Sequence, residues 1–344
     1  NNYKQNKNFA SYKLVKTMRA GILVLGPLLA KFGKAKVSLP GGCSIGTRPV
    51  DFHLKALAKL GVNYKINQGY IYAMAPKGLI GSNIIFPKIS VGATENLIIA
   101  ATLAKGSTLL KNCAIEPEVK DLVNFLIKLG CDLRWVSKRS IRINGVKNLN
   151  RINYSVMFDR IEAGTYLVAA AATEGDLMIK NVIPEIMKKE IYILKKIGAK
   201  IKLKKNMIHI VGKKKIKNIN IKTAPYPGFP TDLQAQIMVL LCKANSKSLI
   251  KEEIFENRFM HVAELNRMGA KILINGNKAF INGNTKFAAA ELMATDLRAS
   301  VSLVIAALSA KGKSIINRIY HLDRGYENLE KKLKQVGAKI KRIN

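Results

Sequence analysis

Acidic residues are scarce in this chain of 344 residues, since 22 Asp and Glu stand against 58 Lys and Arg, a formal net charge of +36. Such a balance favours nucleic acid or another anionic partner. However, the lysines are spread along the whole length among Ile and Asn, and all three residue types have AT-rich codons. We therefore attribute most of the excess positive charge to codon composition, and expect the lysines to lie on solvent-exposed faces.

Aromatic residues are also few, at 7% of the chain. They are not clustered with lysine in the sequence, whereas a protein that stacks single-stranded bases combines aromatic side chains with a basic groove. No nucleic-acid partner is expected, although a basic nucleic-acid-binding protein stays open as a less favoured alternative.

Long hydrophobic runs are missing. The longest, residues 20–30, is interrupted by Gly and Pro, and a membrane helix needs roughly 20 apolar residues. The first ten residues are polar and lack the apolar centre of a secretory signal. We expect a cytoplasmic protein without membrane insertion.

Cysteine occurs four times, at Cys43, Cys113, Cys131 and Cys242. No CxxC pair and no His at metal-ligand spacing accompany them, so neither a zinc site nor a disulfide framework is indicated. The last three lie in apolar segments and are expected in the core. Cys43 differs, because it lies in a Gly-rich segment. No metal and no cofactor are expected.

One glycine recurs with a period near 70 residues. It follows Leu, Ile, Met or Val and precedes a small residue, with spacings of 69, 68, 71 and 68, at Gly61, Gly130, Gly198, Gly269 and Gly337. An Ala-rich apolar run precedes each one, opening near Ala20, Ala93, Ala163, Ala235 and Ala299. The chain therefore contains five copies of one unit.

Each unit predicts an apolar helix, a strand, an amphipathic helix that ends at the glycine, and a hairpin such as residues 270–284. A helix that is apolar on every face must be buried on every face. The units therefore predict an α/β (α+β) fold with helices inside and sheets outside, in two inside-out, barrel-like domains. A solenoid is the alternative, but the period is long for one.

Five units do not fill two equal domains. If three units make a domain, residues 157–344 hold a complete C-terminal-side domain and residues 1–156 hold an N-terminal-side domain of two units. We expect that the first unit is missing and that the sequence is truncated at its N-terminus.

Six segments in order carry a family resemblance along nearly the whole chain. They are LPGGCSIGTRPVDFH (39–53), KISVGAT (88–94), TAPYPGFPTDLQAQ (223–236), FENRFMHVAELNRMGA (255–270), ATDLRAS (294–300) and RIYHLDRGYE (318–327). These segments resemble the signatures of UDP-N-acetylglucosamine enolpyruvyl transferases. The sister enzymes that make enolpyruvylshikimate phosphate share the fold but resemble these segments less, notably at Cys43.

The resemblance implies two inside-out domains of three units with the active site in the cleft between them. The implied reaction transfers the enolpyruvyl group of phosphoenolpyruvate to the 3-hydroxyl of UDP-N-acetylglucosamine and releases phosphate. This is the first committed step of peptidoglycan precursor synthesis, and so serves cell-wall biogenesis, cell shape and cell division. Such chemistry needs an acid, a base and cations.

By the same resemblance, Cys43 is the proton donor at the methylene carbon and forms a covalent adduct with phosphoenolpyruvate. Its loop and nearby Arg48 favour a reactive thiol. Asp232 is the candidate general base, although an Asp before an apolar helix is often an N-cap. Arg48 and Arg324 match arginines that bind phosphoenolpyruvate, a role that suits the bidentate guanidinium. Arg324 is also predicted to be a catalytic residue, with Cys43 and Asp232.

The remaining carry-over concerns substrate binding. Arg19 matches an arginine that contacts the nucleotide-sugar, and Ile254 lines the sugar side. Asp296 and Arg298 support the phosphoenolpyruvate side, either by binding the substrate, by holding the residues that bind it, or as an ion pair. Two segments form the walls of the uridine site, namely Arg48, Pro49, Val50, Asp51 and Phe52 on one side and Lys88, Ile89, Ser90 and Val91 on the other. Phe52 stands where the family has Leu, and Ile254 where it has Val.

An inactive remnant of the same enzyme is the main alternative. The family's first unit carries a Lys-Asn pair that contacts both substrates, and no such pair precedes the segment LVKTMRAG at residues 14–21. The activity of the chain as given is therefore open. We expect a monomer.

Overall fold

The structure is a computed structural model that describes residues 8–15, 19–39 and 50–343. The chain divides into two compact units, one containing the described residues up to Met157 and the other beginning at Phe158. Among the described residues, the longest helix has 13 residues, and none is both long and apolar enough to cross a membrane.

The first unit contains a repeated arrangement of helices and sheets. Its helices are α1 (Tyr12–Val15), a 3-10 helix (Arg19–Val24), α2 (Leu25–Phe32), α3 (Asp51–Lys59), α4 (Val91–Ala101) and α5 (Pro117–Lys128). Its strands are β1 (Phe9–Ala10), β2 (Lys34–Ser38), β3 (Asn63–Asn67), β4 (Tyr70–Met74), β5 (Asn83–Ile85), β6 (Ser107–Lys111), β7 (Asp132–Ser137) and β8 (Ser140–Asn144). They form two sheets of the same topology, β1-β2-β4-β3 and β5-β6-β8-β7, so the sequence repeat is a structural repeat.

The second unit repeats the pattern again. Its helices are α6 (Arg160–Ala172), α7 (Lys188–Ile197), α8 (Gln234–Cys242), α9 (Val262–Arg267), α10 (Leu297–Leu308) and α11 (Leu329–Gln335), with 3-10 helices at Pro184–Met187, Thr231–Leu233 and Ile319–Arg324. Its strands are β9 (Asp176–Lys180), β10 (Lys200–Lys204), β11 (Met207–Val211), β12 (Ile221–Lys222), β13 (Ser248–Lys251), β14 (Ile272–Asn275), β15 (Lys278–Ile281), β16 (Glu291–Met293) and β17 (Ile315–Asn317). The sheet orders are β10-β11-β9, β12-β13-β15-β14 and β16-β17. In the first of these sheets β10 is an edge strand, with Lys200, Lys202 and Lys204 exposed.

The five repeated glycines share one backbone conformation. Each follows the end of an amphipathic helix, α3, α5, α7, α9 or α11, and their φ angles are +89°, +92°, +116°, +94° and +97° in chain order. A side chain is strained at positive φ, and glycine is not. The repeat in the sequence therefore marks the left-handed turn that ends each of these helices.

The apolar helices lie inside, as predicted. In the second unit α6, α8 and α10 contact one another, and every residue of α8 is buried. The strands bury alternate residues, as in β8, where Ile141 and Ile143 are fully buried and their neighbours are not. The structure confirms the α/β fold with helices in and sheets out. In the described ranges the sheets are separate and open rather than closed into a barrel.

The first apolar run differs from the single helix expected, because it is a 3-10 helix followed by α2. Pro27 is the third residue of α2, where a missing N–H removes no intrahelical bond. Gly26 donates its N–H to Asn96 Oδ1 of α4 at 2.7 Å. A Cβ at Gly26 would lie 2.5 Å from the Asn96 carbonyl oxygen, so the two helices can approach this closely only with glycine.

Lysine and aromatic side chains that do not cluster in the sequence meet on the outer face of the first sheet. Lys36 Nζ lies 5.1, 4.8 and 4.9 Å from the ring centroids of Phe9, Tyr70 and Tyr72. Strand pairing places Phe9, Lys36 and Tyr72 in one row, although they are far apart in sequence.

Candidate functional site

Several predicted site residues lie outside the described residues. Cys43, Arg48 and Pro49 are among them. Arg19 is the first residue of the 3-10 helix Arg19–Val24, but its side chain is not part of the description. Their roles stay predictions.

The two predicted walls of the uridine site lie at the starts of two neighbouring helices. Val50 is the N-cap of α3 and Asp51 and Phe52 are its first residues, and residues 88–91 lead into α4, whose N-cap is Ser90. A Cβ on Gly92 would lie 3.4 Å from His53 Cε1, so the two helix starts are in contact. The fold therefore brings these two segments together.

A buried amide joins these helices. Asn96 Nδ2 donates to the carbonyl of Ile22 at 3.1 Å and lies 3.0 Å from His53 Nδ1. Because an amide nitrogen only donates, His53 Nδ1 accepts, and the ring proton is on Nε2. Burial lowers the pKa of His53 to about 4, against a smaller opposing effect of Asp51. His53 is therefore a neutral, oriented imidazole at pH 7.

In the second unit, two guanidinium groups hold the carboxylate of Asp232. Arg258 Nη2 donates to Oδ1 at 2.5 Å and Arg298 Nη2 donates to Oδ2 at 3.1 Å. The side chains of Arg258 and Arg298 are 5% and 14% exposed, whereas that of Asp232 is 39% exposed. A partly exposed carboxylate is thus backed by two guanidinium groups that are largely removed from solvent.

Asp232 does not occupy the N-cap position of α8. Asp232 lies in the 3-10 helix Thr231–Leu233, and the N-cap position of α8 is Leu233. Asp296 is the residue that caps a helix, since its Oδ1 accepts the N–H groups of Arg298 and Ala299 at 2.9 and 3.1 Å at the start of α10. The guanidinium of Arg298 reaches Asp232 and Tyr326 instead.

A buried glutamate organises the loops around Asp232. Glu252 Oε1 accepts from Thr223 Oγ1 at 2.9 Å and from the N–H of Ile254 at 2.8 Å, and Oε2 accepts from Thr231 Oγ1 at 2.9 Å. Its Oε1 also accepts the N–H of Phe255 at 3.2 Å. Glu252 therefore fixes both the segment before Asp232 and the segment that carries Ile254.

Arg324, the remaining predicted catalytic residue, ends the 3-10 helix Ile319–Arg324 and is exposed. It lies close enough to His321 to lower the pKa of that imidazole, second to the effect of burial. An exposed guanidinium is available to an anion.

Burial also acts on His261, whose Nε2 is buried without a hydrogen-bond partner. Burial lowers the pKa of His261 from 6.5 to about 4; Asp296 opposes this and Arg258 adds to it. Protonating His261 would place a second cation beside Arg258, the group that holds Asp232.

We expect stability to fall in mild acid. Because the folded-state pKa of His53 and of His261 is lowered, each contributes stability that is full above pH 6.5 and is lost as the pH falls toward about 4. Each histidine contributes a slope of at most about 1.4 kcal/mol per pH unit. Urea unfolding between pH 7.5 and 4.5 measures this, and His261→Gln should flatten the dependence. An unchanged slope would contradict the assignment.

No group of three or more His, Cys, Asp or Glu side chains in the described ranges could hold a metal ion.

Sequence reasoning did not single out Arg258, Glu252 or Tyr326. Arg258 and Tyr326 lie inside segments quoted for the family resemblance. The available signal was therefore an arginine or a tyrosine within such a segment. Glu252 lies just before such a segment, beside Glu253, and nothing in the sequence distinguishes the buried glutamate from the exposed one.

Comparison with known proteins adds to this geometry. The family model described as EPSP synthase (3-phosphoshikimate 1-carboxyvinyltransferase) matches residues 2–333. The UDP-N-acetylglucosamine 1-carboxyvinyltransferase of Pelagibacter ubique is 78% identical over 343 residues, which cover 100% of this chain and 82% of that protein. The protein of the same name from Geotalea uraniireducens is 53% identical over 334 residues, 97% of this chain and 80% of that one.

Solved structures show the same fold. The enolpyruvyl transferase NikO from Streptomyces tendae aligns with a TM-score of 0.86 at 22% identity, covering 97% of this chain and 80% of that chain. An EPSP synthase from Acinetobacter baumannii aligns with a TM-score of 0.71 at 20% identity, covering 94% and 78%. By its family match and its identity to these relatives, the chain belongs to the EPSP synthase family of enolpyruvyl transferases, in the group of UDP-N-acetylglucosamine 1-carboxyvinyltransferases.

Proposed function

We propose that this chain transfers the enolpyruvyl group of phosphoenolpyruvate to the 3-hydroxyl of UDP-N-acetylglucosamine and releases inorganic phosphate. The observation that carries the proposal is the 78% identity over 343 residues to an enzyme named for that transfer. The product is a precursor of peptidoglycan, so the reaction serves cell-wall synthesis. We further propose that the protein works in the cytoplasm as a monomer.

The proposed chemistry is an addition followed by an elimination. A proton adds to the methylene carbon of phosphoenolpyruvate, and the sugar 3-oxygen bonds to the central carbon as a base takes the hydroxyl proton. The bond from that carbon to the phosphate oxygen then breaks, the methyl carbon loses a proton, and the double bond forms again. We assign the acid to Cys43 and the base to Asp232.

The surroundings of Asp232 support its assignment. Oδ1 accepts from Arg258 and Oδ2 accepts from Arg298, and a carboxylate oxygen can accept more than one hydrogen bond. The exposed carboxylate can therefore accept a sugar hydroxyl while both arginines hold it.

The test is phosphate release by the purified chain with both substrates. Phosphate should appear when phosphoenolpyruvate and UDP-N-acetylglucosamine are both present. Shikimate 3-phosphate in place of the nucleotide-sugar is the matched control and should give none. Phosphate release from phosphoenolpyruvate with shikimate 3-phosphate as the acceptor, or with no acceptor, would overturn the proposal.

We also expect Cys43 to be the thiol that an epoxide such as fosfomycin alkylates first. Burial raises the pKa of Cys113 and of Cys242 to about 12, and raises that of Cys131. These three buried thiols are therefore poor nucleophiles at neutral pH. Peptide mass mapping over time decides the matter, and labelling of any of the three before Cys43 would contradict the assignment.

A further inference from the structure

A chain of buried hydroxyl groups lies behind the Asp232 carboxylate. Tyr326 is 1% exposed, and its Oη lies 3.0 Å from Arg298 Nη1 and 2.9 Å from Thr165 Oγ1. These contacts join residues up to 161 positions apart in sequence. Tyr326 therefore connects the first helix of the second unit to the arginine that holds Asp232.

The direction of the hydrogen bonds in this chain follows from the donors present. A guanidinium only donates, so Tyr326 Oη accepts from Arg298. Thr165 Oγ1 donates its one proton to the carbonyl of Ile161 at 2.8 Å. Tyr326 must then donate to Thr165 for every proton to have an acceptor. The order is Arg298 to Tyr326 to Thr165 to Ile161.

Gln236 ties the same hydroxyl groups to the backbone of the candidate base. Its Nε2 donates to the carbonyl of Asp232 at 2.9 Å and lies 3.2 Å from Thr165 Oγ1 and 3.4 Å from Tyr326 Oη. Gln236 and Thr165 are both buried. The carboxylate and the backbone of Asp232 are thus linked to one pair of hydroxyl groups.

We propose that Tyr326 is a positioning residue for the enolpyruvyl transfer. Its hydroxyl fixes the orientation of the Arg298 guanidinium, and through Arg298 the orientation of the Asp232 carboxylate. With Nη1 bound to Tyr326 and Nη2 bound to Asp232, rotation of the guanidinium would break two hydrogen bonds at once. The proposal rests on the proposed function for its effect on rate, but the fixed orientation of Arg298 does not depend on that function.

Tyr326→Phe removes the hydroxyl and keeps the ring, which packs in an apolar cluster with Val301, Leu322 and Leu329. Tyr166→Phe is the matched control, since the Tyr166 ring packs against the same cluster and its hydroxyl faces Glu162. The two variants undergo the same chemical change in the same cluster. They differ in that the hydroxyl removed from Tyr326 accepts a hydrogen bond from Arg298.

Two measurements separate positioning from packing. The first is kinetic, because small misplacement of a reacting group costs about 10–100-fold in rate. We expect Tyr326→Phe to lower kcat by about that factor, with KM for both substrates nearly unchanged, and to move the acid limb of the kcat profile to higher pH as the Arg298 charge loosens from Asp232. Tyr166→Phe should leave kcat and the profile unchanged.

The second measurement is nuclear magnetic resonance of arginine side chains labelled with ¹⁵N, with the Arg298 signal assigned by its loss in Arg298→Lys. Restricted guanidinium rotation should be seen in the parent and in Tyr166→Phe and lost in Tyr326→Phe. If Arg298 stays equally restricted in Tyr326→Phe, or if Tyr326→Phe keeps the kcat of an active parent, the inference is wrong. A parent that releases no phosphate overturns the proposed function, and the resonance result then still decides whether Tyr326 orients Arg298.

Discussion

Asp232→Asn is expected to lower kcat by about 10²–10⁴-fold, the range that a positioned general base contributes. Asparagine keeps the shape of the side chain and can still accept a hydrogen bond, but its amide cannot take the hydroxyl proton. KM for phosphoenolpyruvate should change far less, because Arg258 and Arg298 remain. Initial rates of phosphate release at varied concentrations of both substrates measure the two parameters separately.

The control for this variant is Asp176→Asn. Asp176 lies on β9 and pairs with His209 at 2.6 Å, with its side chain 70% exposed. The same loss of a carboxylate there should leave kcat unchanged. Because Asp232→Asn leaves two buried guanidinium groups with less compensation, its unfolding midpoint must be measured as well. A folded variant that keeps kcat within about threefold would rule out the general-base role.

Glu252→Ala is expected to lower the free energy of unfolding of the second unit by about 3–5 kcal/mol, since each donor that loses its acceptor away from water costs about 1–3 kcal/mol. The donors affected are Thr223, Thr231 and the N–H groups of Ile254 and Phe255. These groups hold the segments on either side of Asp232, so activity should fall together with stability. Urea unfolding followed by circular dichroism measures the first effect, and hydrogen exchange of residues 221–258 locates it.

The neighbouring glutamate provides the matched control. Glu253 forms ion pairs with Lys222 at 2.7 Å and Lys251 at 2.6 Å on the outer face of the sheet. Exposed pairs of this kind contribute little, so Glu253→Ala should leave stability and activity close to those of the parent. Glu252→Gln should be intermediate, because it keeps one acceptor oxygen and loses the charge. Equal effects of Glu252→Ala and Glu253→Ala would contradict the role given to Glu252.

The fold could be predicted because its signals are local and repeated. A positive-φ turn after an amphipathic helix requires glycine at Gly198 as it does at Gly61, and a wholly apolar helix such as α8 has to be buried. The same reasoning did not foresee that the first apolar run divides at Leu25 into two kinds of helix. At the start of α2, Gly26 approaches Asn96 of α4 closely, and this is a contact between distant parts of the chain.

The candidate site could be predicted in part, through the resemblance rather than through spacing. Asp232 and Arg298 were singled out, and the structure places them in contact. Arg258 and Tyr326 were not singled out. Arg258 matters because it pairs with Asp232, 26 positions away, and Tyr326 because it pairs with Arg298, 28 positions away. A single sequence records which side chains are present and does not record which of them meet.

The exposed edge of β10 bears on how copies of the protein behave in concentrated solution. An unpaired edge strand can recruit the edge of another molecule, and lysine on the edge is one way in which natural sheets prevent this. Lys200, Lys202 and Lys204 bring like charges together when two such edges approach. Repulsion between exposed charges extends over about 8 Å at physiological ionic strength, beyond the roughly 4.8 Å spacing of paired strands. The three lysines of β10 therefore oppose edge-to-edge pairing between copies of this sheet.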